Sequence, residues 1–292
     1  MSLVQDIVRV GRFTPVTSCQ RIAYWAGALL LVSGVFHGVV FLVDGGAWEG
    51  PVSWRKPIVF GLSFGITLLT MSWIVGLLGV RRVTGWVVLG VFAVASVGEV
   101  FLISMQKWRG VPSHFNESTP FNGMVFSIMG MLVSLVGLMT FFVVVRSFWP
   151  IDAPASLRWA VRTGLVLMLV SQAVGVQMIV EGGNTFGAAG ALKVPHAFTL
   201  HVVQVLPALA ILLIVAHVAE RRQVEIVAVA GAGYGALIAS SLLQAYAGRS
   251  PLDLDATSTV LAVVGLALLV FCAAYALRTV AGRAEIVPSL EA

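Results

Sequence analysis

Residues 21–46 read RIAYWAGALLLVSGVFHGVVFLVDGG, and no charged side chain occurs between Ile22 and Val43. A helix crossing the hydrocarbon core of a bilayer needs about 20 such residues, so the stretch reads as a transmembrane span. Seven stretches of the same character follow, at 57–80, 83–105, 121–145, 159–180, 195–217, 224–246 and 258–281. The fold expected from them is an all-α integral membrane protein of eight transmembrane helices.

Composition agrees with that reading. The chain has 292 residues, of which 59% are hydrophobic and 11% charged, and its mean hydropathy is +0.97. Soluble domains carry roughly 25% charged residues, so this much apolar surface requires lipid as its solvent. The net charge of +5 does not point to nucleic acid, because the basic residues lie between the apolar stretches. Cys19 precedes the first span and Cys272 lies deep in the last, which predicts no disulfide, no thiol redox chemistry and no cysteine metal site. The first apolar stretch is long and lacks a small-residue cleavage pattern, so no cleavable signal peptide is expected. Ahead of it Leu3, Ile7 and Val10 share one face, with Arg9 and Arg12 nearby. A short helix on the membrane surface and a frayed terminus both fit.

Lys and Arg then set the orientation. Twelve fall on one side: Arg9, Arg12, Arg21, Arg81, Arg82, Arg146, Arg158, Arg162, Arg221, Arg222, Arg278 and Arg283. Six fall on the other: Arg55, Lys56, Lys107, Arg109, Lys193 and Arg249. Basic residues concentrate in cytoplasmic loops, so both termini are expected in the cytoplasm, as an even number of spans requires. The expected location is the bacterial cytoplasmic membrane.

The opening stretch also aligns without gaps on residues 158–183, RWAVRTGLVLMLVSQAVGVQMIVEGG. Nine of the 26 positions are identical, and Asp44 stands opposite Glu181. Later landmarks keep the register. Lys56-Pro57 matches Lys193-Val-Pro195, Phe60 and Leu62 match Phe198 and Leu200, and Gln106-Lys-Trp108 matches Gln244-Ala-Tyr246. Two four-helix repeats of the same orientation follow, related by a pseudo-two-fold axis along the membrane normal. The expected divisions are a cytoplasmic segment 1–20, a first repeat 21–150, a second repeat 151–283 and a cytoplasmic tail 284–292.

Polar groups inside a bilayer are costly and tend to mark function. On this topology His37, Glu99, Gln106, Gln172, Gln177, His196, His201, Gln204 and Gln244 all fall in the outward half or at its rim, whereas His217 lies at the cytoplasmic end. His37, Glu99 and His201 each sit about 9 Å below the rim at 1.5 Å per residue, so they share a layer. Above that layer runs the most polar loop, Gln106-Lys-Trp-Arg109-Gly-Val-Pro-Ser113-His114-Phe-Asn116-Glu117. Lys56 and Arg109 are positioned to hold an anion there, or to pair with Asp44, Glu117 or lipid headgroups. Asn116-Glu-Ser118 fits the glycosylation sequon, a pattern too short to be specific.

The motifs Trp54-Arg-Lys56-Pro57-x-x-Phe60, Gln106-x-x-Arg109-Gly110-x-x-Ser113-His114-Phe115-Asn116 and His196-x4-His201-x-x-Gln204-x-Leu206-Pro207 resemble those of a bacterial family of polytopic membrane proteins. The resemblance covers most of the chain and implies the membrane fold, with no activity attached. The general plan is also similar to that of haem A synthases, which have eight helices in two halves. This sequence lacks their four-histidine pattern, so that likeness is architectural.

Three functional expectations stand side by side. In the first, His37, Glu99 and His201 hold a divalent metal (iron, zinc or manganese) or the two histidines clamp haem b, in a redox or hydrolytic membrane protein. Gln106, Gln172 and Gln204 would orient the imidazoles. In the second, the chain is a carrier or receptor for a small polar or amphiphilic molecule. Glu99 is then the protonatable group, and Lys56, Arg109, His114, Asn116 and His196 line the rim. Pro207 inside its helix would supply a kink for such motion. In the third, the same groups only hydrogen-bond the helices together. Serine-nucleophile chemistry is disfavoured, because Ser113 and His114 are adjacent and need a further partner.

Overall fold

A computed structural model describes residues 3–286. Within them eight helices are long and apolar enough to cross a membrane, and the chain is a multi-pass membrane protein. It divides into two compact units: Pro15–Val143, and Met1–Thr14 together with Val144–Ala292. Of the expected tail, residues 287–292 lie outside the described residues.

The 15–143 unit contains α2 (Ser18–Asp44), α3 (Arg55–Leu77), α4 (Arg82–Trp108) and most of α5 (Pro120–Ser147). A capping box starts α2: Thr17 Oγ1 accepts the Gln20 N–H at 3.3 Å, and Gln20 Oε1 accepts the Thr17 N–H at 3.1 Å. Two of the helix's orphan donors are thereby satisfied. Gln20 also donates to Ser72 O at 3.2 Å, fixing the start of α2 against the end of α3. These two helices cross on small residues. A Cβ on Gly61 would stand 2.8 Å from Gly34 N, and one on Gly65 would stand 2.9 Å from Gly27 O. Without a hydrophobic drive between helices in lipid, such close backbone approach supplies the packing. Ile103 of α4 packs with Val125 and Met129 of α5.

The other unit contains α1 (Leu3–Gly11), α6 (Ala155–Val180), α7 (Lys193–Val215), α8 (Glu220–Tyr246) and α9 (Ala256–Ile286). The N-terminal segment is a helix rather than frayed coil. It packs against α7, and Arg12 Nη1 reaches the Asp152 carboxylate at 3.0 Å. The α6–α7 crossing again rests on a glycine, since a Cβ on Gly164 would stand 2.6 Å from Val203 Cα. Gly233 of α8 and Gly265 of α9 meet in the same way, 2.6 Å separating a Cβ on Gly265 from Gly233 O. Pro207 lies buried inside α7.

Two features refine the sequence reading. The fold is all-helical as expected, with a two-stranded antiparallel hairpin, β1 (Thr185–Phe186) and β2 (Gly190–Ala191), in the loop before α7. Its second strand passes so close to α8 that a Cβ on Gly190 would stand 1.9 Å from Ala245 O, so no side chain fits there. Most helices also run longer than the apolar runs, as amphipathic ends add a turn, whereas α3 and α7 start earlier and end earlier, at Leu77 and Val215. α4 reaches Trp108 instead of 105.

Large apolar side chains cover the outside of both units. Leu29, Val32, Phe36 and Val39 of α2 are exposed, as are Val260, Val263, Val270 and Phe271 of α9. In water this surface would be untenable, and in lipid it is the solvated face.

Candidate functional site

The most demanding polar group of the 15–143 unit is Glu99. It lies nine residues before the end of α4, about 13 Å along the helix, deeper than the shorter helix of the sequence reading implied. Its side chain is 1% exposed, and neither carboxylate oxygen has a hydrogen-bond partner. Leaving such a group unsatisfied costs about 1–3 kcal/mol, and more when it is charged.

What faces Glu99 is His114. The loop after α4 folds back and places His114 Nε2 at 3.7 Å from Glu99 Oε1, within ion-pair range and beyond a hydrogen bond. The imidazole is 22% exposed, so it bridges the buried carboxyl and the surface. Phe60, Phe115 and Phe126 surround it, with ring centroids 5.5, 6.2 and 6.5 Å away. Its other nitrogen, Nδ1, lies 2.9 Å from Ser113 Oγ. When Ser113 donates to Nδ1, the ring proton sits on Nε2 and points at the carboxylate.

Local backbone chemistry aims His114 downward. Phe115 adopts φ +55°, a left-handed conformation costly for an aromatic residue, and its ring packs on Phe126 at 5.1 Å. Asn116 secures the turn: its Nδ2 donates to Pro112 O at 2.9 Å, and its Oδ1 accepts the Ser118 hydroxyl at 2.7 Å. Asn116 is buried, and its amide holds the loop's own turn together.

His37 is placed differently. Its Nδ1 lies 2.7 Å from Ser33 O, and its Nε2 accepts the indole N–H of Trp108 at 3.1 Å. Both ring nitrogens are thereby engaged. Trp54 and Trp108 meet edge to face at 5.2 Å beside it, and Lys107 Nζ lies 4.1 Å over the Trp54 ring. Lys56, in the first turn of α3, forms no ion pair with a described carboxylate; Arg55 instead pairs with Glu49 at 3.5 Å. Arg109 is bonded to the Gln106 and Asn122 side chains rather than to Asp44 or Glu117.

The remaining candidates lie in the other unit. His196 Nδ1 is 2.9 Å from Ser171 O, and the Ser171 hydroxyl donates to His196 O at 2.9 Å, joining α6 to α7. His201 Nδ1 lies 3.3 Å from Gln204 Oε1, three residues on along the same helix. Gln204 Nε2 is buried without a partner, and Gln172 is half-buried. Among the described residues, no three His, Cys, Asp or Glu side chains are grouped as ligands for a metal ion.

Sequence reasoning named Glu99 and His114 separately and missed that they face each other. The available signal was the pairing of Glu99 with Gln106 on one face of α4, toward which a short Gly-Pro loop must return. It also missed Ser33 and Trp108 as partners of His37. No protein-family profile, no curated protein and no solved structure matches the chain.

Proposed function

We propose that this membrane protein is a carrier or receptor for a small polar or amphiphilic molecule and that Glu99 exchanges a proton with the rim through His114. One observation carries the reading: a fully buried carboxyl lacks any hydrogen bond and faces an imidazole that reaches the surface. A structural network satisfies its members, whereas an unsatisfied carboxyl in an apolar setting is ready for a proton or a ligand. With Ser113 donating to Nδ1, His114 carries its ring proton on Nε2, the tautomer suited to passing a proton between Glu99 and the outside. Lys56 and Arg109 add positive charge at the entrance.

The proposed setting is the bacterial cytoplasmic membrane, with both termini cytoplasmic and the Glu99 site opening outward. Its proposed architecture is two parallel four-helix repeats, 21–150 and 151–283. Two likenesses support that division. Gly27 meets Gly65 as Gly164 meets Val203, at matching alignment positions. Gln106 and Gln244 each tie the end of a third helix to the start of a fourth, through Asn122 and through Ser258.

A metal reading has support in a narrower form. A metal bound through His37 would have to displace Trp108 or Ser33, so those placements do not fit haem or metal ligation at His37. Glu99 and His114 are a carboxylate and an imidazole facing each other, a donor pair suited to iron, zinc or manganese.

The test is a thermal-stabilisation screen of the purified protein with short-chain carboxylates, phosphates, amines and quaternary ammonium compounds, at mildly acid and mildly alkaline pH. At least one class should stabilise the wild type in a pH-dependent way, and Glu99→Gln should abolish the pH dependence. Stabilisation that ignores pH in both proteins rejects the proton-exchange reading. Elemental analysis decides for the metal instead if iron, zinc or manganese is present near one per chain and is lost in both Glu99→Gln and His114→Ala.

A further inference from the structure

Arg109 follows the last residue of α4 at the rim of the 15–143 unit. Its Nη1 donates to Asn122 Oδ1 at 3.0 Å and also to Gln106 Oε1. Gln106 Nε2 donates to the same Asn122 oxygen at 3.1 Å, which closes a three-membered cluster. Gln106 is 0% and Asn122 3% exposed, while Arg109 is exposed. Two buried amides therefore hold one arm of a surface guanidinium in a fixed place, and its Cζ lies 4.6 Å from the Phe121 ring centroid. An ordinary surface arginine has no such scaffold and keeps its rotamer freedom.

Both of its acceptors are neutral. Among the described residues no carboxylate pairs with Arg109, and no protein acceptor takes its Nε or Nη2. The remaining donors form the planar fork that matches a carboxylate or a phosphate. Asn122 and Phe121 belong to the first turn of α5, so the guanidinium also stands at the positive end of a helix dipole. Arg109 is also the C-cap of α4, whose negative dipole end partly offsets this, but no side-chain carboxylate among the described residues neutralises the guanidinium. Phe121 and Met124 are exposed on the same turns and give the cation an apolar flank.

We infer that Arg109 is a binding residue for an oxyanion, a phosphate or carboxylate group carried on an amphiphile. Gln106 and Asn122 position the fork, and Phe121 and Met124 lie along the apolar part. This assigns a chemical class to the ligand proposed above and rests on that reading for its entrance, but the anion site itself does not require Glu99 to exchange a proton.

The experiment uses the full chain in a neutral detergent, with two probes: dihexanoyl phosphatidic acid below its micelle concentration, and inorganic phosphate. Binding is read by thermal shift and by calorimetry in wild type, R109Q, R109K and Glu99→Gln. The acidic lipid should bind about tenfold or more weakly to R109Q than to wild type, as loss of a bidentate charged contact implies, and at an intermediate level to R109K, while Glu99→Gln reports only on the Glu99 reading. Competition by inorganic phosphate identifies a free anion as a sufficient ligand, whereas binding of the lipid alone identifies a head group. Equal binding by wild type and R109Q overturns the inference, as does failure of both probes to bind wild type. Loss of binding in Glu99→Gln with R109Q unaffected overturns the Arg109 assignment and leaves the Glu99 reading standing. Should R109Q fail to fold, a wild-type salt titration decides: affinity should fall as NaCl rises, and salt-independent binding overturns the inference.

Discussion

His37 is held at both ring nitrogens, and the two bonds fix its protonation. The Trp108 indole can only donate, so Nε2 must be bare and Nδ1 must carry the proton that goes to Ser33 O. Protonating the ring puts a second N–H against the indole N–H. The bond is present while His37 is neutral and is lost as the pH falls through the imidazole's titration. The acid-dependent change in tryptophan fluorescence that is lost in Trp108→Phe should therefore also be lost in His37→Ala, which should lose about 1 kcal/mol of stability. A histidine's type and depth are legible in a sequence. The use of its nitrogens is not, because Ser33 comes from the preceding turn and Trp108 from another helix.

At the scale of elements, the glycines divide into those that pack and those that do not. A Cβ on Gly164 would meet the Val203 backbone at 2.6 Å, while one on Gly38 in α2 would meet nothing within 4 Å. Gly164→Ala should cost about 1–3 kcal/mol through forced helix separation, and Gly38→Ala should be neutral or mildly stabilising through helix propensity. Thermal unfolding in detergent reads both. The start of α9 offers a pH test. Asp255 Oδ1 accepts the Ser258 N–H at 2.7 Å, and this bond, helped by Arg249, holds its carboxyl below the usual range. A depressed folded value means the stabilisation is present above the unfolded value and is lost as pH falls through the folded one. Asp255→Asn should keep the cap and flatten that acid-side loss of melting temperature, and Asp255→Ala should lose both. The spans themselves were legible from apolar length alone, with ends displaced by a few residues. The β1–β2 hairpin was not, because its strands are two residues each and the need for glycine at 190 comes from α8, which is distant in sequence.

Over the whole molecule the eight spans were legible because lipid imposes one rule on every helix. The three-helix layer of His37, Glu99 and His201 was inferred from depth, which says nothing about the direction a side chain takes. Direction is what paired Glu99 with a loop residue, His114. Orientation is itself testable. A reporter active only outside the cytoplasm should stay silent when fused at the C-terminus and should be active in the 109–119 loop. The reverse pattern would turn the Glu99 site toward the cytoplasm and contradict the proposed outward opening. The sharpest single experiment is a pH-difference infrared titration of the purified protein, with Glu99→Gln and His114→Ala beside it. Glu99 exchanging its proton through His114 gives a protonated-carboxyl band that is absent in Glu99→Gln and displaced in His114→Ala. A spectrum unchanged by Glu99→Gln would mean that Glu99 takes up no proton, and the proposed site would be lost with it.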